Sequence, residues 1–254
     1  MFGLGLCFYT LNNILHGRRF IKSLILFLLG ALLLVSVKDY IFYLFMTGAV
    51  VWIYKTFIGT ITSSGIKLII KGAVYLGLLI LLIYALSGAD TAVQVAYDSY
   101  VKKAENLQEV MTAINEDYNS GSGYTLPTND LSGPGLLVNF FLSLNVTLFR
   151  PYIWECTNPL MLLSFLESFA SMLLVIILLF KRGLRKIYRS LKDPLLLFCL
   201  IYSLTMAALV GFVSFNFGAL VRYKSPFEPF FYTMLVIILF NKVPFIKKQT
   251  VEVS

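Results

Sequence analysis

The segment PLMLLSFLESFASMLLVIILLFKRGLRKIYRSLKDPLLLFCLIYSLTMAALVGFVSF, residues 159–215, decides the fold. Two apolar runs, 159–180 and 194–215, flank a stretch whose residues 181–192 carry six cations, Lys181, Arg182, Arg185, Lys186, Arg189 and Lys192, and no acid. Runs of about 20 apolar residues match a hydrocarbon core about 30 Å thick at 1.5 Å rise per residue. Neither run carries the polar face that a helix on a soluble core would need. Pro159 and Pro194 stand where a first helical turn tolerates a missing amide, and Asn158 and Asp193 before them are good N-caps. Basic residues flanking short loops stay on the cytoplasmic side, so the pair reads as two membrane spans joined by a cytoplasmic loop.

Working outward, the same length criterion finds runs at 20–37, 40–54, 66–86 and 227–240, with a tight turn at Lys38 and Asp39 between the first two. Hydrophobic residues make up 58% of the 254 and charged ones 13%, a balance that excludes an ordinary soluble domain. The fold expected is an all-α polytopic transmembrane bundle of about six spans. Alternation from the basic loop puts Arg18, Arg19, Lys22, Lys55, Lys67, Lys242, Lys247 and Lys248 on the cytoplasmic side too. With Lys71 just inside that boundary, 15 of the 21 basic residues lie there. The net charge of +8 then reads as contact with anionic inner-leaflet lipid, and no nucleic-acid role follows from it.

The organisation divides into an N-terminal interfacial or truncated helix (1–19), three spans (20–87), an outer loop (88–157), three further spans (158–248) and a cytoplasmic tail (249–254). Residues 1–15 are too short to span comfortably and lack the small-residue cleavage site of a signal peptide. In the outer loop, Val93, Tyr97, Val101, Ala104, Leu107, Met111 and Ile114 are spaced for an amphipathic helix. The segment GSGYTLPTNDLSGPG then breaks it. Residues 136–149 are apolar but too short for a crossing, and two crossings there would break the charge parity, so a re-entrant or interfacial helix is expected. Asn145 and Thr147 complete a glycosylation sequon inside that apolar stretch, where chance is the better reading. Cys7, Cys156 and Cys199 have no metal spacing, and His16 is the single histidine. No cofactor is expected, and only an oxygen-ligand site for a divalent ion stays open.

The informative charges are those that break the inside rule. Arg150, in LFRPYIWECTNP, and Arg222 and Lys224, in FGALVRYKSPFEPF, fall on the outer side between apolar segments. Their candidate partners are Glu155, Glu228 and Glu167, the last about two turns into the fourth span. Glu167 must point into the bundle, because a charge facing hydrocarbon costs several kcal/mol. Each cation taken singly reads as a paired or snorkelling residue. Taken together they form a site for an anionic head group: arginine offers a bidentate fork to phosphate, lysine a point charge, and the carboxylates a route for protons.

The string R-Y-K-x-P-x-x-P, at Arg222, Tyr223, Lys224, Pro226 and Pro229, precedes an apolar terminal helix. It resembles the end of multi-spanning bacterial membrane proteins of surface-polysaccharide assembly, among them glycosyltransferases that use polyprenyl-phosphate sugars and O-antigen polymerases. The string FRPYIWECTNP, residues 149–159, with Glu167 after it, is similar to a group of membrane proteins associated with the same process. Taken from Phe149 to Glu167 and from Arg222 through the terminal helix to Phe240, the two stretches cover about a sixth of the chain. The resemblance implies binding or transfer of a polyprenyl-pyrophosphate-linked glycan at the outer face of the bacterial cytoplasmic membrane. In the enzymatic version Arg150, Arg222 and Lys224 hold the pyrophosphate, with Glu167 in the same site, and Glu155 or Glu228 is the catalytic base. Glycosyltransferases of this kind carry more spans and an acidic motif in the first outer loop, where this chain has only the Lys38–Asp39 turn. Other membrane subunits are therefore expected partners, beside membrane lipid. The alternatives are a transporter or flippase-type protein, with Glu167 and Lys71 along its pathway, and a non-catalytic assembly subunit.

Overall fold

A computed structural model describes residues 1–61, 65, 124, 133–214 and 216–240. Among these the regular elements are helical: α1 (Phe2–Leu15), α2 (Phe20–Thr60), α3 (Gly133–Phe149), α4 (Pro159–Ser190), α5 (Pro194–Val213), α6 (Phe217–Lys224) and α7 (Glu228–Phe240). The expected outer-loop helix and third span lie outside the described residues. Three helices, α2, α4 and α5, are long and apolar enough to cross a membrane. Their apolar side chains support that reading. Ile21, Leu28, Leu32, Leu160, Leu163 and Phe180 are all exposed, a surface that water would not tolerate and lipid would.

Helix α2 is two arms. Lys38 leaves helical geometry (φ −153°, ψ 88°), and Asp39 Oδ1 accepts the Tyr40 amide at 2.8 Å. The position of α1 shows how sharply the chain turns there. The Cys7 thiol donates to the Phe27 carbonyl at 3.8 Å, while the ring of Phe8 next to it lies 5.5 Å from that of Trp52. On a straight helix, residues 27 and 52 would stand about 37 Å apart. The chain therefore reverses at the Lys38–Asp39 turn, and the two arms lie side by side, as the sequence predicts. Helix α1 packs along the first arm and buries Leu4, Cys7, Thr10 and Leu11.

An aromatic cluster locks α1 and the second arm to α5 and α7. Phe8, Phe45, Trp52, Phe198, Tyr202 and Phe230 meet with ring centroids between 5.1 and 6.0 Å apart, in edge-on, tilted and offset geometries. Such contacts are directional, so they fix helix rotation as well as burying area. On the other side α3 packs antiparallel against α5. A Cβ added at Gly211 would collide with the Ser143 carbonyl and the Thr147 hydroxyl, so only glycine permits this approach. Thr147 Oγ1 donates to the Ala207 carbonyl at 2.7 Å, which makes the sequon threonine a buried packing residue.

Helices α4 and α5 follow each other in sequence but pack mainly through others. Contacts run from α3 to α5, α5 to α7, α7 to α4, and α4 back to α3, a ring of four helices. The basic segment expected as a loop is helical instead, because α4 continues to Ser190 across a kink at Gly183 (φ 66°, ψ 157°). A positive φ is open to glycine, and beyond it Leu184, Ile187, Tyr188 and Leu191 restore an apolar face. Arg182 locks the kink by donating from Nε to the Leu239 carbonyl at 2.8 Å, where a cation suits the end of α7. The three cysteines are free, with Cys7 and Cys199 buried.

Candidate functional site

Arg150 follows directly on α3 and is held on three sides. Its Nε lies 2.9 and 3.1 Å from the two oxygens of Glu155, and its Nη2 reaches the same carboxylate. Glu155 ends a short 3-10 turn, Ile153–Glu155, and also accepts the Tyr152 amide at 2.8 Å. The guanidinium sits 5.6 Å from the centroid of Tyr124 and 5.4 Å from that of Phe217, within cation–π range. Tyr124 is fixed in turn by its hydroxyl, which donates to the Gly211 carbonyl at 3.0 Å. Partial burial alone would push the Glu155 carboxyl upward. The Arg150 hydrogen bonds, the Tyr152 amide and the arginine charge outweigh that and hold it below the usual carboxylate range. A carboxylate so stabilised is a poor proton acceptor.

Lys224 ends α6 and is 2% exposed. Its Nζ donates to Ser168 Oγ at 3.2 Å, and Ser168 Oγ donates onward to the Arg150 carbonyl at 2.7 Å. The two strings singled out in the sequence are thus joined through one serine of α4. No carboxylate among the described residues comes within 4.0 Å of Lys224, since Arg150–Glu155 is the one ion pair there. Glu167 and Glu228, both half-buried, surround it: their side chains lie within hydrogen-bonding reach of each other, and both act on the Lys224 charge. One turn further, the Ser171 and Tyr232 hydroxyls meet at 2.6 Å and tie α4 to α7.

Of the sequence-derived candidates, Arg150, Glu155, Glu167, Lys224 and Glu228 come together and Arg222 does not. It is exposed, and lies about 200° around the helix axis from Lys224. Between them Tyr223 carries the Lys38 ammonium 4.7 Å above its ring, which brings the turn of α2 to the same end of the molecule. Sequence reasoning missed Ser168, whose only signal is its place beside Glu167 in an apolar run. It also missed the aromatic walls Tyr124 and Phe217, which nothing in their spacing marks. Among the described residues no three His, Cys, Asp or Glu side chains converge as a metal site would need.

Comparison with protein-family models, curated proteins and solved structures returned no match. The chemistry must be read from the arrangement itself. It offers a caged guanidinium, a buried ammonium on a hydroxyl relay, and two carboxyl groups beside that ammonium.

Proposed function

We propose that this chain is a multi-pass protein of the bacterial cytoplasmic membrane that serves cell-surface polysaccharide assembly by binding a polyprenyl-pyrophosphate-linked glycan at the outer end of its bundle. The observation that carries this reading is the Lys224–Ser168–Arg150 connection, because the residues it joins belong to the two strings that carry the resemblance. In this reading the spans are the two arms of α2, residues 66–86, α4, α5 and α7, and α3 is re-entrant. Two rulers support that role for α3. Ser168, bonded to Arg150, is nine residues past Pro159, and Thr147, three before Arg150, is bonded six residues before Val213. At 1.5 Å per residue both put Arg150 about 13 Å below the outer helix ends, roughly half of a 30 Å core.

Charge at that depth is expensive and belongs to binding or proton movement. Arg150, Lys224 and, from the rim, Arg222 supply the phosphate contacts. The base for any transfer is Glu228, since Glu155 is engaged by Arg150. Reporter fusions test the topology: periplasmic activity is expected after Asn119 and none after Tyr188, and activity at both sites would end the six-span reading. Function is tested by extracting lipids from cells that lack the protein. Accumulated undecaprenyl-linked oligosaccharide is expected, and an unchanged pool would remove the assignment. The second reading, a proton-linked transporter or flippase, is favoured by the Glu167–Glu228–Lys224 trio, and an unchanged lipid pool with altered solute uptake would select it.

A further inference from the structure

Helix α4 is longer than a crossing needs. From Pro159 to Arg182 it already rises about 36 Å at 1.5 Å per residue, against a hydrocarbon core about 30 Å thick. The part beyond the Gly183 kink therefore lies past the end of the span, yet Leu184 and Tyr188 on it are 75% and 69% exposed. Water is a poor surrounding for that pair. Helices α4 and α5 stand across the ring of four from each other, so the segment that joins them passes beneath the bundle rather than away from it. It runs at the level of the bilayer surface.

Rotation of about 100° per residue sorts the side chains of this segment into three sectors. Ile187, packed on the core together with Leu191, sets the inward direction. Leu184 and Tyr188, one turn apart, lie about 60° and 100° around from it, and the exposed Arg185 and Arg189 about 160°, on the side turned away from the bundle. The exposed apolar pair thus borders the cations, and one contact joins the two directly: the Lys192 ammonium lies 5.8 Å from the centroid of the Tyr188 ring. None of Arg185, Lys186, Arg189 and Lys192 has a carboxylate partner among the described residues, and the nearby acid, Asp193, already accepts the Leu195 and Leu196 amides at 2.9 and 3.1 Å.

An apolar strip edged by unmatched cations, on a helix that runs along the base of a bundle, is the pattern of a helix lying in the membrane interface. We propose that residues 184–192 form an in-plane surface helix that binds anionic phospholipid, with Leu184 and the Tyr188 ring sunk to the level where head groups meet acyl chains and Arg185, Arg189 and Lys192 on the phosphates. Tyrosine suits that level, because its ring is apolar and its hydroxyl stays wet. The assignment differs from the attraction of any basic loop to an anionic surface in demanding insertion of the apolar pair as well as charge. It depends on α4 and α5 crossing the membrane and not on the polysaccharide reading.

The test has two arms, both on the full chain. For insertion, Tyr188→Trp is reconstituted in vesicles of phosphatidylcholine and phosphatidylglycerol, and its added emission is taken as the difference from the unsubstituted chain. That emission is expected at short wavelength and quenched by lipids brominated near the glycerol end of their acyl chains. Unquenched emission at the long wavelength of indole in water overturns the proposal and leaves this face to a soluble partner. For recognition, lipid retained on the detergent-purified chain is counted by native mass spectrometry, and phosphatidylglycerol is expected to stay bound where phosphatidylcholine is lost. Arg185→Gln with Arg189→Gln, both on exposed positions, should lower that preference about tenfold or more, at roughly one surface charge's worth of attraction each. Equal retention of the two lipids overturns the proposal, as does an undiminished preference in the arginine double variant.

Discussion

The two ends of the bundle treat positive charge in opposite ways. At one end Arg150 and Lys224 are drawn inward, each with its hydrogen bonds fixed: a fork onto Glu155 for the first, a serine hydroxyl for the second. At the other end Lys181, Arg185, Lys186, Arg189 and Lys192 stand exposed on a kinked helix, without an acid between them. The residue types are the same, but the first set is arranged against neighbours and the second against the surroundings. Charge that is individually positioned implies a defined chemical task, whereas charge that is merely accumulated implies attraction to a surface or a head group.

The sharpest way to break this contrast is Lys224→Ala. It removes the buried cation that Glu167 and Glu228 surround, and a loss of about 3–5 kcal/mol is expected in denaturant or thermal unfolding of the detergent-solubilised protein. Lys224 would belong with the exposed set if that loss were absent. Glu155→Ala should lower stability by about 2 kcal/mol, between the exposed and fully buried limits, because it leaves the Arg150 guanidinium unmatched. Gly211→Ala forces a Cβ into the Ser143 carbonyl and should cost about 1–3 kcal/mol through the α3–α5 contact, with neither charge set touched. If it proves harmless, the approach of α3 is looser than the geometry requires.

Smaller effects sharpen the contrast. Because Glu155 is depressed in the folded chain, its contribution is complete above the ordinary carboxylate range and disappears as the pH falls through the lowered folded value. Acid unfolding should therefore lose part of its pH dependence in Glu155→Gln, and an unaltered acid limb would count against the pairing. Single changes such as Lys186→Gln should shift stability by no more than about 0.5 kcal/mol. Arg222 tests the boundary between the sets. If it holds phosphate through its fork, Arg222→Lys should lower surface polysaccharide nearly as much as Arg222→Ala, but a snorkelling residue would tolerate lysine.

Much of the fold was legible because membrane helices announce themselves through length. The starts at Pro159 and Pro194 agree with the helices found, and the reversal at Lys38–Asp39 is where an interrupted apolar run puts it. What the sequence hid was helix without hydrophobicity. Residues 184–190 are helical despite their charge because Ile187 and Leu191 have a core to pack on, and α6 forms because Asn216 caps it by accepting the Gly218 amide at 2.8 Å. Of the candidate site, the residue types could be read but not the pairing. Helical spacing separates Arg222 from Lys224, yet only the packing of α6 against α4 determines which of the two is buried.

The ring of four helices also has a consequence for how the protein is made. Helices α4 and α5 leave the ribosome as a hairpin held through α3 on one side, and α7, the last of the four to be synthesised, bridges them on the other. Until it arrives, Lys224 has no cover and the aromatic cluster lacks Phe230. A chain halted before α7 is thus expected to enter the membrane and still be recognised as unfinished by quality-control proteases, because the ring of four helices is not yet closed.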